Sequence, residues 1–501
     1  MTGLVLLLAT TAAARPDDPG SDLFSFDVGD EVLTFDSARF RFHYSLAGTH
    51  AIPAADDDAS GVPDHLEELA EIYEGALELY VELGYRAPVS DENQGDNGGD
   101  GRFDVYLVDF ALTADGAYRP ENCIAAVPNA SGARAPEVCS GFMVQENDFR
   151  GYGYPSVSIA NRTVASHELF HAVQAAYDNG QGAVMAEGTA VWASERFDPS
   201  LFDLEGFSSG YLDDAETSLD SPSSGAVDPF SYGAAVFFLS LSERYGDDVL
   251  LHLWEHTENG AAGIDDPFWF DVIDGVLQED AGVTFADAFT EFSAWTLFTG
   301  RRADAARGFA HGEDLSEREA EVLELPVDRA SFVVFTSSSR LVRVVPRGRS
   351  QVAVALSGDP VNFDGMTLFL LPIDLNAGPK ELVSVSDVAA GGIVDLGIDD
   401  ELLVLLVNAR QQGQGARPTL CIGDEAEVAA CTAAEGEGEG EGEGDVVVDP
   451  PRGCGCGALP GTWAMGGIAL LALAPKRRHR SRHGTSPRAR ALVGAADQRR
   501  S

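Results

Sequence analysis

The sequence predicts an α+β protein whose helices and strands are unevenly divided along 501 residues. Three observations carry that prediction. Apolar stripes with helical spacing recur before Asp314. Two strand-like runs interrupt them. From about Ala330 to Ile422 the pattern becomes short β-rich runs separated by turn residues, as in an antiparallel sandwich. The change sets a boundary near Asp314 to Pro326, with a first domain over 22–314 and a sandwich-like domain over 326–432.

Taken in order, the N-terminus MTGLVLLLATTAAARPDD has an apolar run followed by small residues. That is a secretory signal pattern, with cleavage expected after Ala14, although no basic residue precedes the run. Arg39 to Leu46 (RFRFHYSL) alternates like a strand. A helix is expected from about Asp64 to Leu83, with Leu66, Leu69, Ile72, Tyr73, Leu77 and Tyr80 on one stripe. Phe103 to Phe110 (FDVYLVDF) reads as a buried strand, and Cys123 and Cys139 flank what reads as a loop rich in Pro, Asn and Ala. Helices then follow over about Val164–Tyr177 and Val184–Phe197, joined by the glycine-rich turn Asn179 to Gly182. Ser231 to Tyr245 and much of Asp265 to Gly300 are also expected to be helical. The runs SFVVF, RLVRVV, QVAVAL, MTLFLLP, ELLVLLV and TLCI supply the strands of the second domain.

Six cysteines agree with an oxidising compartment. Proximity pairs Cys123 with Cys139 and Cys421 with Cys431. Cys454 and Cys456 stand apart, after the Glu-Gly repeat Glu435 to Gly444 in the segment 433–456, which is too polar and glycine-rich to fold. An apolar span over 457–474 comes next, at the short end of what crosses a bilayer. The basic tail 475–501 (PKRRHRSR onward) marks the cytoplasmic side.

The net charge of −48 is extreme, and nine of the 33 Lys and Arg residues lie between Lys476 and Arg500. So acidic a surface excludes nucleic acid and anionic lipid as partners of the folded part and favours cations.

The chemistry centres on His167-Glu168-Leu169-Phe170-His171, an H-E-x-x-H motif on an expected helix. Positions four apart share a helical face, so His167 and His171 can bind one Zn2+ while Glu168 handles the proton of the attacking water. A catalytic zinc site needs a third protein ligand, and Glu187, sixteen positions after His171, can return beside the pair on a helix–turn–helix. Glu195, Asp178 and Asp198 are the alternatives if Glu187 points away. Asp178 and Glu195 are also candidates to orient the ligand side chains. A second metal signal is Asp56-x-Asp58-x-Ser60-Gly61-x-x-Asp64-x-x-Glu67, the spacing of a Ca2+ loop, departing from it at Pro63. Asp91 to Asp104 (DENQGDNGGDGRFD) is acidic and glycine-rich without regular ligand spacing.

Glu-Gly-Thr-Ala-x-Trp at Glu187 to Trp192 resembles the third-ligand helix of the gluzincins, the thermolysin-like and aminopeptidase-like zinc peptidases. The ordered set HYSLAGT, DDDASGVPDHLEEL, FDVYLVD, SHELFHAVQAAYD, EGTAVW and SYGAAVFFL, over Arg39 to Gly246, resembles a family of secreted bacterial metalloproteases. The resemblance implies a zincin-like catalytic domain. It also implies that Tyr232, in DPFSYG, supplies a phenol to the oxyanion; a core tyrosine is the competing reading. Stalk, cysteines, apolar span and arginine cluster resemble C-terminal sorting tails of Gram-negative surface proteins, including the myxobacterial kind, in which the cysteine anchors the chain. Together these readings point to an exported, surface-anchored zinc endopeptidase acting on protein or peptide substrates. The alternative is a non-catalytic, metal-stabilised surface adhesion or substrate-binding protein.

Overall fold

The computed structural model describes residues 14–18, 24–128, 134–225, 228–261, 263–264, 266–363 and 365–433. The signal segment up to Ala13, nearly all of the linker, the span 457–474, the basic tail and Cys454 and Cys456 lie outside the described residues. Within them the protein is α+β, and no helix is long and apolar enough to cross a membrane.

The first sheet is built from β1 (Leu33–Asp36), β2 (Phe40–Tyr44), β3 (Phe103–Val108), β4 (Gly116–Pro128) and β5 (Arg134–Glu146) in the order β1-β2-β3-β5-β4. β2, β3 and β5 run parallel, and β4 pairs antiparallel with β5 as an edge strand. Of the Cys123–Cys139 segment, expected as a loop, the described residues up to Pro128 and from Arg134 are instead the paired strands β4 and β5, with the two cysteines opposite each other and disulfide-bonded; residues 129–133 lie outside the described residues. Pro, Asn and Ala are poor strand formers, so local propensity pointed to a loop; pairing along β5 overrode it.

Side chains alternate across this sheet. Val105, Leu107 and Met143 face the helices, while Tyr106, Val108, Phe142 and Val144 face the N-terminal segment and pack with Phe26. That segment begins before residue 22. Arg15, 1% exposed, bonds Asp104 (2.5 Å), Asp91 (2.6 Å) and Glu121 (2.7 Å) and lies over the Phe142 ring. Two carboxylates from the acidic 91–104 stretch are thus paired with the chain's own guanidinium.

The helices are α1 (Asp64–Glu82), α2 (Val157–Gln174), α3 (Ala183–Phe197), α4 (Asp203–Leu212), α5 (Pro229–Gly233), α6 (Ala235–Tyr245), α7 (Asp248–His256), α8 (Trp269–Asp280) and α9 (Phe285–Trp295). α1 buries its apolar stripe, including Leu66, Leu69, Tyr73 and Tyr80, against the sheet and α2. α2 starts two turns earlier than expected because Ser156 caps it, its side chain accepting from Ile159 N. Its residues from Thr163 to Gln174 are all buried, so it is a central helix without an exposed polar face. The helix expected over Ser231 to Tyr245 breaks into α5 and α6 at Ala234.

The remaining elements are β6 (Glu321–Glu324), β7 (Val327–Ser331), β8 (Ser338–Val345), β9 (Gln351–Ser357), β10 (Met366–Asp374), β11 (Gly378–Pro379), β12 (Val383–Val385), β13 (Gly392–Asp395), β14 (Asp400–Asn408), β15 (Thr419–Gly423) and α10 (Glu425–Ala433). One sheet has the order β11-β10-β14-β8-β6, with β12 also on β10, and the other β13-β9-β15-β7. The two share a core of Val342, Val404, Leu368, Val354, Leu356 and Leu420. Leu403, Leu405 and Val407 of β14, with Phe369 and Leu371 of β10, turn the other way and join the core of the helical region. Burial on both faces is why ELLVLLV and MTLFLLP are unbroken apolar runs. The second region is therefore packed into the first rather than strung behind it. α10 is tied back to β15 by the Cys421–Cys431 disulfide.

Candidate metal centre

Ionisable side chains within a buried helix must find partners or they carry a heavy desolvation cost. α2 places three there: His167, Glu168 and His171, at 3%, 6% and 4% exposure. The turn after α2 reverses the chain, and α3 returns Glu187, 7% exposed, to the same point. His167 Nε2 and His171 Nε2 are 3.2 Å apart, and each is 3.3 Å from Glu187 Oε2. Ligands about 2.0–2.1 Å from a tetrahedral ion lie about 3.3–3.4 Å from one another. The three atoms therefore have the dimensions of one face of such a tetrahedron. Charge agrees with shape. Burial opposes ionisation of both groups, yet the mutual attraction holds Glu187 well below the usual carboxylate range and His171 above the usual imidazole value.

Close approaches make this arrangement possible. A Cβ on Gly188 would fall 2.6 Å from the Phe238 ring, so glycine after Glu187 lets α3 lie against α6. At Gly116 a Cβ would meet Val164 at 2.4 Å and Glu168 Cγ at 3.0 Å, so glycine lets the start of β4 reach α2. There Tyr118 N donates to Glu168 Oε2 at 2.9 Å and fixes that carboxylate beside the ligands.

Orientation of His171 comes from a residue that sequence reasoning missed. His171 Nδ1 is 2.8 Å from Gln174 Oε1, an i,i+3 contact that places the proton on Nδ1 and leaves Nε2 free to ligate. Gln174 is itself held by its Nε2 donating to Ala186 O (2.8 Å) and Thr189 Oγ1 (3.0 Å) on α3. The one available signal was a glutamine three residues beyond His171. Asp178 does not orient a ligand: it accepts from Gly180 N and Gln181 in the turn. Glu195 does not either, lying where burial and the carboxylates of Glu205 and Asp203 push it up to about 8. Asp198 pairs with Arg162. Asp203, at the start of α4, is also buried, and burial pushes it up to about 6 although the charge of His167 opposes that.

Tyr232 stacks on the His167 ring, with centroids 5.7 Å apart and planes 7° from parallel. Its hydroxyl is buried, and burial together with the charges of Glu187 and Glu168 holds the phenol well above its usual pKa. Gly233 follows because α5 crosses α4 at backbone contact, where a Cβ would be 2.3 Å from Tyr211 N.

The expected Ca2+ loop is partly assembled. Oxygens of Asp56, Asp58 and Asp64 lie within 4.8 Å of one another, on an exposed surface. Ser60 N donates to Asp56 (3.0 Å) and Asp58 (2.9 Å), and Gly61 takes φ +91° at the turn. The Ser60 hydroxyl donates instead to Val62 O, and Glu67 is not among the converging carboxylates. No protein-family model matches this chain, and no curated protein matches it.

Proposed function

We propose that the protein is an exported zinc metallopeptidase, an endopeptidase of gluzincin type with a zincin-like catalytic region, that hydrolyses protein or peptide substrates. The observation that carries the reading is the 3.2–3.3 Å triangle of His167, His171 and Glu187 with Glu168 beside it. Two imidazoles and one carboxylate suit Zn2+, and an open fourth position distinguishes a catalytic from a structural site.

Bound zinc would supply Lewis acidity, acidifying a water and polarising the scissile carbonyl. Glu168, with Oε2 occupied by Tyr118 N, has Oε1 left to accept the proton of the attacking water and deliver it to the leaving amine. Tyr232, stacked on His167, would donate its hydroxyl to the developing oxyanion. Among the described residues β4 has a strand partner on one side only, and its other edge can take an extended peptide as an added strand, which fits cleavage within a chain. The surface loop at Asp56, Asp58 and Asp64 would hold Ca2+ as a structural ion. Disulfides agree with export, and the tail beyond Ala433 would supply the anchor.

The test is Glu168→Ala. The variant should retain one zinc and its fold while losing chelator-sensitive cleavage of casein by about 10²–10⁴-fold; a fully active variant overturns the mechanism.

A further inference from the structure

We propose a second cation site, for a hard divalent ion of the Ca2+ class, formed by Glu137 Oε1 with the side-chain oxygens of Asn179 and Asn259. It lies behind the turn that joins α2 to α3 and does not depend on the zinc reading.

Three segments meet there. Asn179 N donates to Glu137 O at 2.8 Å, and Asn259 N donates to Glu137 Oε2 at 3.3 Å, so both asparagines are adjacent to that residue. Glu137 is 2% exposed. Its Oε1, Asn179 Oδ1 and both polar side-chain atoms of Asn259 are buried, and among the described residues none meets a hydrogen-bond partner. Buried acceptors left unpaired are costly, and several in one place call for a shared positive centre. Protonating Glu137 does not solve the problem, because one O–H satisfies one acceptor and leaves the others. A cation can serve the three oxygens together, with the Asn259 NH2, a donor, facing away from it. One carboxylate with neutral amide oxygens is an all-oxygen donor set, which suits Ca2+, whereas a zinc site includes imidazole or thiolate ligands. The amide of Asn259 can turn its oxygen inward at no loss, since neither of its ends is bonded.

The surroundings favour positive charge without competing as ligands. Asp178 is occupied by Gly180 N and Gln181, and Glu258 is paired with Arg86. Together with burial, Asp178, Asp266 and Glu258 push Glu137 up to about 7, the electrostatic cost that a cation would remove. An ion here would stiffen the turn that sets the spacing of His171 and Glu187.

The experiment uses the zinc-loaded full-length chain carrying Asp56→Asn and Asp58→Asn, which disable the exposed loop. Calcium chloride is titrated calorimetrically, and unfolding is followed by differential scanning calorimetry. One equivalent should bind, and Tm should rise by about 3 °C at about one hundred times the dissociation constant. Adding Glu137→Gln should abolish both with zinc content unchanged. The proposal is overturned if the double variant binds no Ca2+, or if Glu137→Gln keeps the equivalent and the shift. Should Glu137→Gln fail to fold, Asn259→Ala decides: a fall in Ca2+ affinity of about tenfold or more supports the site, and unchanged affinity refutes it.

Discussion

Replacing Gln174 with leucine tests whether the metal centre is built by side chains that never touch the ion. Gln174 is buried and nearly the shape of leucine, so the change leaves no large cavity. It deletes three contacts: His171 Nδ1 to Oε1 at 2.8 Å, and Nε2 to Ala186 O at 2.8 Å and to Thr189 Oγ1 at 3.0 Å. Losing a partner behind a ligating histidine costs about 10–100-fold in metal affinity, or about 1.4–2.8 kcal/mol. The bridge from α2 to α3 goes as well. With each hydrogen bond worth about 1 kcal/mol, the metal-free protein should lose about 2–3 kcal/mol of stability. Gln174→Glu separates the two roles. It keeps an acceptor for His171, so zinc affinity should stay near wild type. It also sets a carboxylate oxygen against the Ala186 carbonyl where an N–H stood, so stability should still fall. Zinc affinity is read by competition with a chromophoric chelator, and stability by urea unfolding of the apoprotein. Wild-type zinc affinity in Gln174→Leu would refute the argument that this residue orients His171.

Tyr232→Phe keeps the stacking on His167 but removes the hydroxyl; zinc content should hold while casein cleavage slows by about 10²–10³-fold, and unchanged kcat would assign Tyr232 to packing alone. Arg15→Met leaves Asp91, Asp104 and Glu121 buried without their cation and should cost about 3–5 kcal/mol in urea unfolding at pH 8, less at pH 5, toward which the raised Asp91 and Glu121 take up protons; a loss under about 1 kcal/mol would refute the anchoring role. Burial pushes Glu146 up to about 7. Between its ordinary value and about 7 the folded state binds the extra proton, so this group makes stability fall as pH rises through that window and level off above it. Glu146→Gln should flatten that part of the profile, as followed by urea midpoints from pH 4.5 to 8; an unchanged slope would assign it elsewhere.

Local pattern was enough for the features whose physics is local. The i,i+4 spacing of His167 and His171 needs only a helix, and the α1 stripe needs only the 3.6-residue period. The glycine turn before Val184 made Glu187 a reachable third ligand, and the three candidate ligand atoms do converge. Cysteine proximity correctly paired Cys123 with Cys139 and Cys421 with Cys431. Tertiary structure decided whatever depends on partners distant in sequence. β4 and β5 carry loop-like residues and become strands because each supplies the other's hydrogen bonds. The two-faced runs of β10 and β14 do not reveal that one face meets the helices and the other the second sheet. Arg15 reads as a residue at a processing site until Asp91, Asp104 and Glu121 gather around it. Gln174 and Tyr118 N act through distance and angle, which no spacing rule encodes. Residue types and helical period thus selected the candidate ligands, while long-range packing chose the groups that hold them in place.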